Sequence, residues 1–115
     1  MAKLSRSRIG ALRRERTRLL LELTELSLMV RGCYLERYST CSRLGCKCHR
    51  GRRHGPRAYV VVTRNKAQRQ VYVPQGQVEA VRTGVEQYHR LLKVVERIST
   101  INLELMRGGE LNVSV

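Results

Sequence analysis

The sequence contains no aspartate, tryptophan or phenylalanine, and its only acidic residues are nine glutamates. Nuclease and transposase sites built on clustered Asp carboxylates are therefore excluded. No apolar run approaches the roughly 20 residues that cross a membrane, and nothing at the N-terminus resembles a secretory signal. We expect a cytoplasmic protein. In that compartment the four cysteines are expected to be metal ligands or free thiols rather than disulfides.

Basic residues, in contrast, are abundant and unevenly distributed. The 115 residues include 23 Lys and Arg, which give a formal net charge of +14. Residues 37–78 contain ten basic side chains and no acidic one, whereas residues 79–115 contain five of each. A surface this basic attracts polyanions, of which nucleic acid is the commonest. The pattern predicts a nucleic-acid-binding protein, and no membrane partner is expected because aromatic anchors are missing.

Apolar periodicity predicts a single α+β domain made of four segments. Residues 1–31 are expected to form a basic N-terminal helix and residues 75–107 a C-terminal helix, both long and packed antiparallel. Between them, residues 32–74 are expected to form a zinc-binding loop and a small three-stranded antiparallel sheet. Residues 108–115 are expected to be a tail. The apolar faces exceed what one chain covers, which favours a homodimer.

Apolar residues at 3–4 spacing define a stripe on each predicted helix. The first stripe runs through Ile9, Leu12, Leu19, Leu23, Leu26 and Val30. Arg16 is its one polar position, Ser5 or Ser7 is the expected cap, and Gly32 is the expected end. The second stripe comprises Val78, Val81, Val85, Tyr88, Leu92, Val95, Asn102 and Leu105, joined by Leu91, Ile98 and Ile101. Polar Ser99 and Asn102 interrupt it, as residues that set the register of coiled coils do.

The most specific feature is a cysteine-rich loop. Its candidate zinc ligands are Cys41, Cys46, Cys48 and His54. Three thiolates and one imidazole form a known structural zinc site, and a loop with so few apolar residues cannot fold by burial. His49 is an alternative fourth ligand, and Cys33 is a further candidate, although its strand position favours a small buried thiol. No carboxylate lies nearby to orient a Cys–His nucleophile, so we expect no enzyme.

The basic residues around this loop are the expected contacts with nucleic acid. The predicted contacts are Arg43, Lys47, Arg50, Arg52, Arg53 and Arg57 at the loop, Arg64, Lys66 and Arg69 at a hairpin, and Arg6, Arg13 and Arg14 in the first helix. Tyr34, Tyr38, Tyr59 and Tyr72 could stack on bases, but their strand positions favour the core.

Several motifs together resemble a known bacterial family. These are the run Gly32-Cys-Tyr-Leu-Glu-Arg-Tyr, the Cys-x4-Cys-x-Cys-x5-His-Gly-Pro core, and the hairpin ending Val71-Tyr72-Val73-Pro74. The family consists of short basic proteins of unknown function often found near transposons and other mobile elements. The likeness covers about residues 31–106. This sequence departs from the family at Arg57, where an aromatic residue is expected, and in its Arg-rich first helix. The resemblance implies a zinc-bearing fold and a mobile-element setting.

Together these features predict a zinc-stabilised protein that binds DNA as an accessory factor of a mobile element. A recombinase or transposase is the expected kind of protein partner. RNA binding is one alternative, since composition does not separate DNA from RNA. Another is an adaptor that oligomerises through its helices and docks a partner protein.

Overall fold

The computed structural model describes residues 3–40, 45–47, 51 and 54–113, apart from the side chain of His54. The elements in chain order are α1 (Arg6–Leu23), β1 (Cys33–Ser39), β2 (His54–Arg64), β3 (Ala67–Val73), a 3-10 turn (Gln75–Gln77) and α2 (Val78–Arg107). The predicted α+β class, with two helices and a three-stranded antiparallel sheet, is confirmed.

Residue contacts divide the chain into two compact units. The helix unit comprises residues 1–27 and 89–115, and the sheet unit comprises residues 28–88. Helix α2 therefore contributes its first residues to the sheet unit and its remainder to the helix unit.

The helix unit is built around a small apolar core. Leu12 of α1 and Ile101 and Leu105 of α2 are fully buried together. Each such side chain stabilises the folded state by about 1.5–3 kcal/mol relative to an exposed one. The Ser5 side chain accepts a hydrogen bond of 3.1 Å from the backbone nitrogen of Arg8, which confirms Ser5 as the cap of α1.

Three bidentate Arg–Glu ion pairs connect the two helices. The pairs are Arg8 with Glu104 at 2.9 Å, Arg97 with Glu15 at 2.6 Å, and Arg90 with Glu22. The partners advance by seven residues along α1 while they step back by seven along α2, so the helices are antiparallel, as predicted. In each pair the hydrogen bonds from the guanidinium are the main reason that the pKa of the glutamate lies below its usual value.

Helix α1 ends at Leu23 and not near residue 31 as predicted. The hydroxyl of Thr24 donates to the carbonyl oxygen of Leu21 at 2.7 Å, which closes the last turn. Gly32, expected to end the helix, instead precedes β1 with φ of +152°, where an added Cβ would lie 2.6 Å from Val60 Cγ1. A side chain at this position would collide with the sheet.

The segment after α1 is held in an extended path by α2 in the sheet unit. The backbone nitrogen of Val30 donates to the carbonyl oxygen of Gly84 at 2.9 Å, and that of Leu28 donates to Gln87 Oε1 at 2.8 Å. An added Cβ on Gly84 would lie only 2.1 Å from the Leu28 oxygen, so this approach requires glycine. These tertiary hydrogen bonds replace the helical ones that the apolar spacing had predicted.

The predicted apolar stripe of α2 is confirmed only in part in the helix unit, where Ile101 and Leu105 are fully buried. Leu92 and Val95 are 53% and 50% exposed, whereas Val94, outside the predicted stripe, is buried. The prediction extended one heptad pattern through the whole helix. Residues 78–88 and 89–107 belong to different units, so they are buried against different partners.

The sheet has strand order β1-β2-β3 and a tight hairpin between β2 and β3. Arg64 pairs with Ala67, which leaves Asn65 and Lys66 as a two-residue turn with φ of +51° and +66°. Positive φ at both positions is typical of the hairpin turns that match strand twist. The predicted hairpin is therefore confirmed.

One face of the sheet is covered within the sheet unit. Its core consists of Ala58, Val60 and Val73, against which Val30, Tyr34, Val62, Val78 and Val81 pack. Since side chains alternate along a strand, the residues between these belong to the opposite face.

Candidate nucleic-acid interface

Most of the cysteine loop lies outside the described residues. This holds for Cys41, Arg43, Cys48, His49, Arg50, Arg52 and Arg53, and for the side chain of His54. Of the predicted loop residues, Cys46 is half-buried and Lys47 is exposed. The described residues alone contain no group of three potential metal ligands.

The strand register nevertheless shows how the loop is anchored. Ser39 at the end of β1 pairs with His54 at the start of β2, so the chain leaves and re-enters the sheet at the same place. Cys41 follows Ser39 by only two residues in the sequence. Gly45 and Gly51, which lie in the sequence between candidate ligands, have φ of +80° and +106°, a conformation that favours glycine. The anchoring fits a donor set of thiolates and imidazole closing on one ion.

Cys33 is separated from this place by the length of β1. It pairs with Val61, six residues before Ser39, which corresponds to about 20 Å along a strand. The register therefore argues against Cys33 as a zinc ligand. Its side chain is exposed, so the expectation of a buried thiol is wrong.

The other side of the sheet, called here the open face because most of its described side chains are exposed, carries aromatic and basic side chains. From the register its members are Cys33, Leu35 and Arg37 of β1, Arg57, Tyr59, Val61 and Thr63 of β2, and Gln68, Gln70 and Tyr72 of β3. Leu35, Tyr59 and Val61 are half-buried, and the others are exposed. A sheet face of this composition offers stacking surfaces beside positive charge.

Tyr59 and Tyr72 are direct cross-strand partners on the open face. Their ring centroids are 5.8 Å apart at 69°, an edge-to-face contact. Tyr72 is 56% exposed and Tyr38 is 57% exposed, so their expected place in the core is wrong. Tyr34 does pack against the covered core, and the guanidinium carbon of Arg82 lies 5.3 Å from its ring centroid.

Arg37 and Arg57 face each other directly across β1 and β2. Both are exposed, and neither side chain forms an ion pair or hydrogen bond with any part of the chain that the structure describes. Like charges placed directly opposite destabilise a sheet. Sequence reasoning missed Arg37, although its alternation with Cys33 and Leu35 would have placed it on this face.

The hairpin places more positive charge nearby. Arg64, Lys66 and Arg69 are exposed and make no ion pair with the described residues. Arg69 pairs with Val62 of the covered face, so it projects from the other side of the sheet than Arg57. The predicted basic residues of the sheet unit are therefore divided between its two faces and its tip.

The predicted arginines of α1 differ in their availability. Arg13 pairs with Glu110 at 3.2 Å, whereas Arg6 and Arg14 are exposed and have no ionic partner in the described segments. Arg8 and Arg16 are also engaged, with Glu104 and Asn102. Much of the basic character of α1 therefore serves helix packing.

A cleft of about 400 Å³ opens where β2 begins and β3 ends. Arg57 and Tyr72 border it together with Glu36 and Gln75, and apolar side chains such as Val73 form part of its wall. Its size lies within the range of small-ligand pockets.

These features define an α+β protein with an antiparallel helix pair and a three-stranded sheet that is open and basic on one face. Residues 9–83 match the model of a family described as Domain of unknown function (DUF6788), and the chain belongs to that family. No curated protein and no solved structure matches the chain. Neither of the two described helices has the length and apolarity that a membrane crossing needs.

Proposed function

We propose that the protein binds DNA through its sheet unit. The observation that carries this proposal is the separation of charges. Every ion pair among the described residues lies in the helix unit. The sheet unit has twelve basic and three acidic residues and makes none within its described part. Arginine in this setting suits bidentate contacts with phosphate.

The resemblance to basic proteins found near mobile elements favours DNA over RNA. It also favours an accessory role in a mobile element, with a recombinase or transposase as the protein partner. In this role the sheet unit supplies the DNA contacts, and the helix unit is stabilised by its own ion pairs.

Zinc is proposed to order the loop that carries the densest positive charge. Cys41, Cys46 and Cys48 would hold the ion with His54, whose backbone is fixed by pairing with Ser39. The ion would supply tetrahedral cross-links that the loop cannot obtain from apolar burial. The arginines between the ligands would then be presented as a fixed array.

Salt dependence of binding tests the DNA-binding function. Fluorescence anisotropy of the full chain with a labelled duplex should show log-linear loss of affinity with salt. Four phosphate contacts correspond to a loss of about 100-fold between about 50 and 200 mM salt. Absence of binding at low salt would reject the proposal.

Two charge-matched variants locate the surface. Arg64→Gln with Lys66→Asn removes two hairpin charges, and Asn tolerates the positive φ of position 66. This variant should lower the salt slope by about 2. Lys93→Gln with Arg107→Gln removes two exposed charges from the neutral α2 region and should leave the slope unchanged.

A second candidate function, self-association through α2, is favoured by the exposed face of that helix. Leu92, Val95, Leu103 and Met106 are each half-exposed, and they lie seven and four residues before and after Ser99. The four residues are therefore spaced symmetrically about Ser99. When a second copy of α2 packs antiparallel, its apolar residues meet the same spacing, as a two-fold interface requires. Sedimentation equilibrium should show a dimer that Leu103→Glu dissociates and Lys93→Gln does not; a monomer at all concentrations would exclude it.

A further inference from the structure

We infer that the open face binds single-stranded DNA, with unpaired bases stacked on Tyr59 and Tyr72 and a phosphate held between Arg37 and Arg57. The inference rests on the proposed DNA-binding function. It adds the form of the DNA and the surface that receives it.

The aromatic row provides the stacking surface. Leu35, Tyr59 and Tyr72 are consecutive cross-strand partners, so they form one continuous row across all three strands. The edge-to-face contact leaves Tyr72 more than half exposed on the open face. Exposed aromatic rings stack on bases of any sequence. Bases within a duplex already stack on their neighbours, so this row fits a single strand.

The arginine row lies next to the aromatic row. Arg57 precedes Tyr59 by two residues on β2, which is about 7 Å along the strand and on the same face. Arg37 is its direct cross-strand partner. Two facing guanidinium groups repel each other in the free protein and can both donate hydrogen bonds to one phosphate. An anion between them removes the repulsion.

The cleft borders this surface at the end of the sheet. Tyr72 and Arg57 line it together with the polar side chain of Gln75, whereas much of the remaining wall comes from the covered side, to which Glu36 belongs as the partner of Ala58. The arrangement therefore offers an aromatic ring, a cation and an amide beside one nucleotide.

The positive charge of the open face also argues against a second copy of this chain as the partner that binds there. An isologous contact centred on Arg37 and Arg57 would bring them against the same pair of arginines. No residue from 37 to 78 is acidic, so this part of the chain offers no carboxylate to neutralise them. A polyanion with exposed bases complements both rows at once.

Binding of the full chain to labelled oligo(dT) and to a duplex of the same length tests the inference. Tyr72→Leu should weaken oligo(dT) binding by about 5- to 150-fold, the range for loss of one stacked base, and leave duplex binding unchanged. Tyr72→Phe retains the ring and should retain affinity. Tyr38→Leu is the matched control, because this equally exposed tyrosine lies in the irregular register between Arg37 and Ser39, outside the open face.

Two further measurements separate stacking from a change of fold. The chain has five tyrosines and no tryptophan, so tyrosine fluorescence should be quenched by oligo(dT) in the native protein and less in Tyr72→Leu. Arg57→Gln should lower the salt slope for the single strand by about 0.7, the value for one lost phosphate contact. Arg107→Gln should not. Circular dichroism confirms that each variant is folded.

The outcomes are distinct. Equal losses on duplex and single strand, or no loss in Tyr72→Leu, overturn the inference while DNA binding itself stands. Tighter binding to oligo(rU) than to oligo(dT) overturns the assignment to DNA. If native protein binds no nucleic acid, the proposed function fails together with the inference.

Discussion

Arg16 Nη1 donates a hydrogen bond of 2.8 Å to Oδ1 of Asn102, and this pair lies partly buried between α1 and α2 in the helix unit. The sequence marks each residue as the polar interruption of an apolar stripe, and the structure joins the two. One polar pair in an apolar seam favours a single register, because any shift would leave both groups without a partner.

Replacing Asn102 with leucine should destabilise the helix unit. Arg16 would lose its acceptor while staying partly buried, and such a loss costs about 1–3 kcal/mol. Urea denaturation followed by circular dichroism measures the change. The double variant Arg16→Met with Asn102→Leu should recover stability, since an apolar pair needs no acceptor. A single Asn102→Leu variant as stable as the native protein would contradict this role.

The three inter-helix ion pairs should make stability fall in acid. The folded-state pKa values of Glu15, Glu22 and Glu104 are lowered, first by hydrogen bonds from their arginines, from a reference of 4.5. Groups of this kind add stability above the unfolded pKa and lose it as pH falls through the folded pKa. The midpoint temperature of thermal unfolding should therefore stay constant from neutral pH to about 4.5, and it should decrease at lower pH.

Variants of one ion-paired and one unpaired glutamate separate the contribution of the ion pairs from general acid unfolding. Glu104→Gln removes one titrating pair with Arg8 and should reduce the acid dependence. Glu96→Gln removes an exposed glutamate of α2 that makes no ion pair within the described residues, and should leave the dependence as it is. Identical pH profiles for both variants would show that the ion pairs do not cause the transition.

Local pattern predicts those elements whose hydrogen bonds are local. Ser5 caps α1, α2 ends at its predicted residue 107 and begins three residues after its predicted start, and the hairpin turn follows from its polar residues. The end of α1 could not be predicted in this way, because Leu26 and Val30 continue helical spacing and residues 24–31 contain neither Gly nor Pro. The chain leaves the helix because Gly84 and Gln87, more than 50 residues away, provide other partners.

Gly84→Ala tests this tertiary cause. The new methyl group would lie 2.1 Å from the Leu28 carbonyl oxygen, a backbone atom that can move only by breaking the contact of residues 28–30 with α2. We expect a loss of about 1–3 kcal/mol, or more, in the free energy of unfolding. Gly76→Ala is the control, because an added Cβ there meets no atom within 4 Å. Equal stability of the two variants would show that the close approach is not required.

The candidate site likewise has some features that the local sequence predicts and others that depend on how the strands pair. The cysteine spacing and the excess of basic residues are local features and direct attention to the part of the chain in which the candidate site is proposed. That Arg37 faces Arg57, and that Tyr59 meets Tyr72, depends on register between strands. Register is set by the hairpin turn and by which face is buried, and a shift of one residue would exchange the two faces.

The zinc proposal predicts about one zinc ion per chain in protein purified without chelator. Cys48→Ser should abolish this content, and a chelator should unfold the loop. Cys33→Ser is the matched control and should retain the metal, because Cys33 pairs with Val61 at the far end of β1. Elemental analysis that finds no metal in the native protein would refute the site.

Arg37→Gln should change stability and DNA affinity in opposite directions. Removing one of two facing like charges relieves repulsion, so the free energy of unfolding should rise by about a few tenths of a kcal/mol. The same change removes one phosphate contact and should weaken oligo(dT) binding with a smaller salt slope. Thermal denaturation and anisotropy on the same preparation measure both. A residue that serves only the fold would lower stability when replaced, so a destabilised variant with native affinity would remove Arg37 from the DNA-binding surface.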